Sequence, residues 1–412
     1  MKHKLSSSTR LMFVALCVTC LMIGGLSLVR SDAAAFSFAV ATGGETASVV
    51  EPDTVPLTNR VYLPMIHLPP VSYRLGFGAN TSPLTRFAQI NTLKAGWYYD
   101  WGVNTKPARP NNMEYAQTIR VHQKLTCPLY SLNAHDRELC PYAVPHDYEF
   151  RPNLDTIAAA AQANPGSLWL IGNEMDRRDW PGGGQDEILP ETYAVVYHDL
   201  YHFIKGVDPK ARVAIGGVIQ ATPLRLEYLT KVWNAYQQRY GTLMPVDVWN
   251  VHNFILKEQL NDYGAGIPPG SNALQGVVHD SDRTHVDMTI FDQQIRAFRS
   301  WMKARGQQDK PLIVSEYGVL YWHEGLEDLN IVQNFMIQTF DYFLETRDCY
   351  LGYPVDDCRL VQRWAWYSLD DTGVSSGFNR YGALFDPASR QITPTGERFR
   401  TYSLMNISRL AQ

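Results

Sequence analysis

The chain has little net charge. Its 412 residues include 37 Lys and Arg against 41 Asp and Glu, which gives a formal net charge of −4 and a pI near 6.3. A protein without a basic excess has no electrostatic reason to bind nucleic acid or an anionic membrane, so we expect neither as a partner. Hydrophobic content of 45% and charged content of 19% are typical of an ordinary globular protein.

Cysteine is scarce as well. The chain has six cysteines, and two of them belong to the N-terminal apolar segment. The other four have no CxxC spacing and no accompanying His cluster, so a zinc site is not expected. They fall into two local pairs, and in an oxidising compartment local pairing is the simplest of the three possible connectivities. The sequence therefore predicts two disulfides, Cys127–Cys140 and Cys349–Cys358.

The N-terminus has the features of a secretory signal. Lys2, Lys4 and Arg10 precede an apolar stretch over residues 11–28, and alanines at 33–35 offer a cleavage site. An uncleaved signal anchor is the alternative, because the apolar stretch is long for a signal peptide. We expect a signal peptide over 1–35, a linker rich in Ser, Thr, Gly and Pro over 36–70, and a secreted or extracytoplasmic domain over 71–412 with no integral membrane segment.

Strand-like and helix-like segments alternate from residue 73 to the end of the chain, which indicates a parallel sheet. Eight strand candidates fit an α/β fold of the (β/α)8 TIM-barrel type with a single catalytic domain. A doubly wound open sheet is the alternative, but no Gly-rich phosphate-binding loop follows the first strand. The lone GxG at 76–78 is only a weak signal for such a loop. The predicted strands cover 73–77, 94–99, 118–122, 168–173, 212–216, 247–252, 312–316 and 361–367, and the predicted helices cover 156–163, 190–206, 224–240, 287–305 and 330–346.

Two of these strands end in a glutamate. The apolar runs LIGN (170–173) and LIVS (312–315) lead directly into Glu174 and Glu316. In a barrel of parallel strands the C-terminal ends open onto the active-site face, so carboxylates there are placed for chemistry. Glycoside hydrolysis requires two such carboxylates. The alternative is that each glutamate only caps a helix or pairs with a cation.

Four motifs in strand order resemble one group of enzymes. Asn-Glu closes the fourth strand, His252 lies on the sixth, Glu316 closes the seventh and Trp366 lies on the eighth. This order resembles the clan A retaining glycoside hydrolases. The stretches AGWYYDW (95–101) and LWLIGNE (168–174) are similar to family 128-type endo-β-1,3-glucanases and to families 5 and 39. The clan commonly has Asn-Glu-Pro, whereas Met175 follows the glutamate here, which weakens assignment to a specific family.

The resemblance implies roles for individual residues. It makes Glu174 the acid/base, Glu316 the nucleophile and Asn173 the donor to the sugar 2-hydroxyl. It also implies that His252 contacts the substrate or the nucleophile.

Aromatic residues are the expected sugar-binding surfaces. The resemblance makes Trp366, which shares its strand face with Trp364, the platform under the sugar. Trp97 and Tyr317 are further candidates for substrate binding. They belong to a set that follows the strand ends closely, and any member could equally pack in the core: Trp97, Trp101, Tyr317, Tyr321 and Trp322.

The chemistry requires one carboxyl to be protonated while its partner is ionised. We expect burial and the charge of Glu316 to raise the pKa of Glu174, and Asp176 and Arg177 are close enough in sequence to adjust it. A retaining mechanism further predicts carboxyl groups about 5–5.5 Å apart.

The expected protein is thus a monomeric glycoside hydrolase that acts on a polysaccharide or oligosaccharide, with β-glucan as one candidate. No metal or organic cofactor is implied. A transglycosylase would use the same residues. A secreted carbohydrate-binding or adhesion protein on the same barrel is the non-enzymatic alternative.

Overall fold

The structure is a computed structural model that describes residues 72–412, apart from 82, 130, 132, 180–183, 280, 322–324 and 374–376. The predicted signal peptide, the predicted linker and Trp322 lie outside the described residues. Within the described part of the chain, no helix is both long enough and apolar enough to cross a membrane.

Ten strands run through the described residues: β1 Leu75–Gly78, β2 Trp97–Tyr99, β3 Glu114–Tyr115, β4 Gln117–Gln123, β5 Tyr148–Arg151, β6 Leu168–Asn173, β7 Arg212–Gly217, β8 Trp249–Val251, β9 Leu312–Tyr317 and β10 Arg363–Trp366. They form one sheet of order β3-β2-β1-β10-β9-β8 and a second of order β5-β4-β6-β7. Every ladder is parallel except the one between β4 and β5.

The two sheets join at two places and form the predicted (β/α)8 barrel. Only Ala116 separates β3 from β4. Two parallel bridges, Ala214↔Val248 and Val218↔Val251, connect β7 to β8. If β3 and β4 are counted together, eight parallel strand positions follow one another around the ring, and β5 is an added edge strand. This arrangement brings the C-terminal ends of all eight to one face.

Helices cover the outside of the barrel. Five of them connect strands: α1 Leu154–Ala163, α2 Pro190–Val207, α3 Pro223–Tyr240, α4 Met288–Lys303 and α5 Leu329–Glu345. Proline at the first position begins α2 and α3, and Asp287 and Asp328 cap α4 and α5 by accepting backbone N–H groups.

The connections on either side of β2 contain short 3-10 helices in place of α-helices. They span Leu84–Arg86, Ile90–Leu93 and Pro110–Asn112. The C-terminal helix α6 (Pro394–Met405) covers this part of the wall, and the Ser403 hydroxyl donates to the carbonyl of Leu93 at 2.6 Å. The four-residue helix α7 (Ile407–Leu410) follows, and the carbonyl of Leu410 accepts from the N–H of Tyr73 at 2.8 Å.

Both predicted disulfides are present. Cys127–Cys140 closes a loop that follows β4 and therefore lies on the same rim as the C-terminal strand ends. Cys349–Cys358 closes the loop between α5 and β10, on the opposite rim. The two bridges thus tie down one loop at each end of the barrel.

Candidate active site

Glu174 directly follows the last residue of β6. Its backbone N–H donates to the carbonyl of Gly217 at the end of β7, at 3.0 Å. Its φ of 50° lies in the left-handed region, where a non-glycine residue is uncommon. The chain therefore bends sharply at this residue, and Glu174 as a whole is 3% exposed.

Glu316 is the inward-facing residue near the end of β9. Its Oε2 accepts hydrogen bonds from the hydroxyl of Tyr99 at 3.1 Å and from the indole N–H of Trp101 at 3.3 Å. Both donors approach β1 at Gly78, where a Cβ would lie 3.1 Å from the Tyr99 oxygen and 3.0 Å from the Trp101 ring. The missing side chain at this position leaves room for the two residues that hold Glu316.

His252, which follows β8, lies between the two glutamates. Its Nδ1 is 3.2 Å from Oε1 of Glu174 and 3.9 Å from Oε2 of Glu316. The ring packs so closely on Gly217 that a Cβ there would lie 2.1 Å from its Cδ2. A side chain on β7 at this point would therefore displace the imidazole.

The three strand ends bring both carboxylates together. One oxygen of Glu174, one oxygen of Glu316 and a ring nitrogen of His252 all lie within 4.8 Å of one another. This separation is compatible with the roughly 5–5.5 Å of retaining enzymes and leaves little of the 6.5–9.5 Å gap that inverting enzymes keep for a water molecule.

An arginine controls the charge of Glu174. Nη1 of Arg177 donates to Oε2 of Glu174 at 2.9 Å, and Nη2 donates to the carbonyl of Gly264 at 2.7 Å. Burial raises the pKa of Glu174, but Arg177 and His252 outweigh burial and lower it to about 2. The expectation of a raised pKa is therefore wrong for the free protein, because a guanidinium occupies the site beside the carboxylate.

The pKa values of the other two groups move upward. Burial raises the pKa of Glu316, and the lowering effect of His252 does not outweigh burial and the nearby charge of Glu174. Burial lowers the pKa of His252, but the two glutamates outweigh it and raise the net value. In the free protein the site therefore favours an ionised Glu174, with the proton on Glu316 or His252.

Asn173 precedes Glu174 and is 7% exposed. Its Nδ2 donates to the carbonyl of Gly184 at 3.1 Å, and its backbone N–H donates to Oδ2 of Asp186 at 2.8 Å. The side chain is thus oriented at the rim beside the glutamate.

Three of the aromatic candidates lie away from the carboxylates. Trp366 and Tyr317 are fully buried in the layer between strands and helices, with ring centroids 5.5 Å apart, and the Trp366 indole N–H donates to the carbonyl of Gly382 at 2.8 Å. Trp97 begins β2 inside the barrel, and its indole N–H donates to the carbonyl of Arg74 at 3.0 Å, towards the opposite end from the site.

Trp101 and Tyr367 lie close to Glu316 instead. Their ring centroids are 6.0 Å apart, and both are partly exposed. Burial, followed by the charge of Glu316, raises the pKa of Tyr367. Strand parity explains why Tyr367, and not Trp366, lies near Glu316. Successive residues of a strand alternate between its two faces, so Tyr367 faces the opposite way from Trp366. By the same alternation, residues 97, 99 and 101 share the inward face of β2 and its continuation. The sequence of β2 would therefore also have indicated Tyr99 as a residue that faces the site.

A buried ion network supports this rim of the barrel. Arg225 at the start of α3 is fully buried, with its Nε 2.9 Å from Oε1 of Glu258 and Nη1 3.3 Å from Oδ2 of Asp176. It also donates to the carbonyls of Ala265 and Gly266 at 2.8 and 2.5 Å. The loop after β6 and the loop after β8 are thereby held to one guanidinium, which no sequence motif indicated.

The same three atoms of Glu174, His252 and Glu316 form the one group among the described residues with a spacing that a metal ion could accept. The guanidinium of Arg177, 2.9 Å from Glu174, opposes a further positive charge at this position.

No family model matches the chain, and no curated protein matches it either. Its structure is similar to that of a GH128 (subgroup II) endo-beta-1,3-glucanase from Pseudomonas viridiflava, with a TM-score of 0.49 and 13% identity over 80% of this chain and 98% of the other. A GH128 (subgroup I) endo-beta-1,3-glucanase from Amycolatopsis mediterranei, in complex with laminaritriose, has a TM-score of 0.46 and 14% identity over 80% and 98%. A GH128 (subgroup VII) oligosaccharide-binding protein from Trichoderma gamsii has 0.46 and 13% over 84% and 97%.

Proposed function

We propose that the protein is a secreted, retaining glycoside hydrolase that cleaves a polysaccharide or oligosaccharide. The observation that carries the proposal is the convergence of Glu174 and Glu316, from two different strands, within 4.8 Å at the carboxyl end of a parallel barrel. Two carboxylates at this separation suit a double displacement. The disulfides and the signal-like N-terminus support an extracytoplasmic location.

In the first step, Glu316 attacks the anomeric carbon and forms a covalent glycosyl-enzyme, while Glu174 donates its proton to the departing glycosidic oxygen. In the second step, water attacks the same carbon, Glu174 takes the proton from water, and Glu316 leaves as a carboxylate. Proton donation of this kind contributes roughly 10²–10⁴-fold. Tyr99 and Trp101 orient the nucleophile by donating to its Oε2.

Substrate binding then has to change the protonation of the pair. For the reaction, Glu174 must carry a proton and Glu316 must be ionised. In the free protein the pKa of Glu174 is lowered and that of Glu316 is raised, which favours the opposite arrangement. Nδ1 of His252 is hydrogen-bonded to Glu174 and lies 3.9 Å from Glu316, so His252 is the proposed group through which a proton passes between the two carboxylates.

A β-glucan is the substrate class that the motifs at 95–101 and 168–174 favour, because they resemble those of endo-β-1,3-glucanases. Trp101 and Tyr367, rather than Trp366, are the proposed sugar-facing aromatic residues. Asn173 remains the proposed donor to the sugar 2-hydroxyl.

A non-catalytic oligosaccharide-binding protein is the second candidate. The contact that favours it is the ion pair between Arg177 and Glu174, which holds the proposed acid in its ionised form. A binding protein has no need for a proton donor, so this pair would do no harm to its function.

A panel of β-glucans, mannans, xylans and arabinans, with product analysis, tests the proposal. We expect Glu316→Gln to abolish turnover while glycan affinity survives, because the variant keeps the size of the side chain and removes its negative charge. Glu174→Gln should slow substrates with poor leaving groups far more than activated aryl glycosides. Glu149→Gln, at the exposed position of strand β5, is the matched control.

If both site variants hydrolyse the best substrate at the wild-type rate, Glu174 and Glu316 are not the catalytic pair. If the wild type binds a glycan and hydrolyses none of the panel, the binding protein replaces the enzyme as the conclusion.

A further inference from the structure

Two consecutive arginines, Arg177 and Arg178, lie shortly after Glu174 in the chain, and each has a hydrogen-bond donor without an acceptor among the residues that the structure describes. Nε of Arg177 is buried without a hydrogen-bond partner among the described residues. The same is true of Nε of Arg178, and no ion pair joins this second guanidinium to another described residue. Buried cationic donors without acceptors are costly unless a ligand supplies an acceptor.

A cavity of about 720 Å³ lies against the second of these arginines. Arg178 forms part of its wall, together with the disulfide-closed loop after β4 and the loop after β8, which contributes Ala265 and Gly266. The preceding residue of that loop, Gly264, accepts a hydrogen bond from Arg177. Arg177 therefore connects Glu174 to the loop that forms one wall of the cavity.

The acidic residues of the cavity wall are largely engaged with other partners. Asp179 is bonded to the ring of His122, and Asp262 is paired with Lys257 at 2.8 Å. A further wall residue, Asp136, accepts backbone N–H groups of its own loop. Glu138 is the exposed acidic residue of the wall whose carboxylate has no partner in the described part of the chain.

We propose that this cavity is a subsite for a sugar unit that carries an anionic group, a carboxylate or a sulfate ester, and that Arg178 and Arg177 bind that group. The inference rests on the proposed function for its place in the reaction. Guanidinium groups suit both anions, since their fork of N–H donors matches two oxygens at once.

The geometry places this unit on the leaving-group side of the bond. Glu174 directs Oε1 towards His252 and Oε2 towards Arg177. The nucleophile lies on the Oε1 side, and the proton donor lies between it and Arg177. A glycan that continues past Glu174, away from Glu316, would reach Arg177 and then the cavity.

An anion at this position would also change the acid. The guanidinium that now stabilises ionised Glu174 would instead be paired with the substrate, and the burial of the carboxyl would then favour its protonated form. Binding of an acidic glycan would thus favour the protonated form of Glu174 that the reaction requires, whereas a neutral glycan would leave Arg177 on Glu174 and be cleaved more slowly.

Calorimetric titration of the Glu316→Gln protein tests the subsite without interference from turnover. The probes are three tetrasaccharides of one β-linkage: glucose units, glucuronate units and glucose 6-sulfate units. We expect at least one acidic probe to bind about tenfold or more tightly than the neutral probe, with an advantage that falls as NaCl is added. A preference for glucuronate identifies a carboxylate, and a preference for the sulfate ester identifies a sulfate.

Arg178→Gln in the same background should remove about tenfold of the affinity for the acidic probe and leave the neutral probe unchanged. Glu138→Gln should strengthen acidic binding, because it removes an opposing charge from the wall. Arg398→Gln, on the exposed face of α6, is the matched control and should have no effect.

Equal affinity for all three probes would overturn the proposal, as would an Arg178→Gln protein with unchanged preference. Hydrolysis of a neutral glycan alongside equal binding would leave the glycoside hydrolase intact and remove only the anionic subsite. Tight acidic binding without hydrolysis of any glycan would keep the subsite and remove the enzyme.

Discussion

Replacement of Arg177 by Gln should convert Glu174 into a better acid. The pKa of Glu174 is about 2, against a usual 4.5 for a glutamate. The site therefore stabilises the ionised form by about 3 kcal/mol relative to a glutamate in water. At pH 6 only about one molecule in 10⁴ would carry the proton. Without the guanidinium, His252 is the remaining group named against burial, so the pKa of Glu174 should rise. The proton-bearing fraction at pH 6 then increases about tenfold for each unit by which that pKa rises.

The assay is the pH profile of kcat/KM on a neutral glycan with a poor leaving group. Because Glu174 has the lower pKa of the two carboxyls in the free protein, its ionisation appears on the acidic limb, and a raised pKa of Glu174 moves that limb to higher pH and increases the activity between the limbs. We expect Arg177→Gln to be at least about tenfold more active than wild type on the neutral glycan near pH 6 and less active on an acidic one.

An activated aryl glycoside serves as the internal control, because it needs little protonation and should show no gain. Arg398→Gln should follow the wild-type profile, and unfolding curves should be recorded to confirm that the Arg177 variant is folded. An acidic limb at the same pH, together with equal activity near pH 6, in Arg177→Gln and wild type would refute the reasoning that Arg177 sets the ionisation of Glu174.

Three further changes probe the support of the site. A Cβ at position 217 would lie 2.1 Å from the ring of His252, so Gly217→Ala should displace the ring. We expect it to lower kcat more than it raises KM and to reduce stability by about 1–3 kcal/mol. An unchanged kcat would contradict this. Burial raises the pKa of Asp176 to about 6, so the folded state favours the protonated carboxyl. The stability that this proton gives the folded protein is complete below about pH 4 and is lost as the pH rises through 6. Asp176→Asn should therefore gain up to about 3 kcal/mol on wild type between pH 4 and pH 7 in denaturant unfolding, whereas parallel pH dependences would disprove the assignment. Replacing Cys127 and Cys140 together by Ser should lower stability by at most about 3 kcal/mol, and an unchanged Tm in non-reducing buffer would show that the bridge contributes nothing.

The fold could be predicted because its signals are local. Buried parallel strands are short apolar runs between helical segments, and each of the eight predicted strands overlaps an observed one, with β6 matching at both ends. The predicted helices over 190–206 and 287–305 begin within one residue of the observed helices α2 and α4. The edge strand β5, the two-residue β3 and the 3-10 connections were not predicted, because they depend on neighbours distant in sequence.

The site was only partly predictable. Glu174, Glu316 and His252 fall at strand ends, and a barrel brings strand ends together regardless of the loops. The aromatic platform was assigned to the wrong strand face, since Trp366 faces the helices and parity places Tyr367 at the mouth. Arg177 was recognised only as close in sequence, because its direction depends on Gly264 in a loop almost ninety residues away.

The most direct test of the central claim is covalent trapping of the nucleophile. The wild-type protein would be incubated with an activated 2-deoxy-2-fluoro glycoside of the sugar that the panel identifies, then digested and mapped by mass spectrometry. The account predicts one adduct, on the peptide that contains Glu316, and none in Glu316→Gln. An adduct on another residue, or continued turnover of the best substrate by Glu316→Gln, would contradict it.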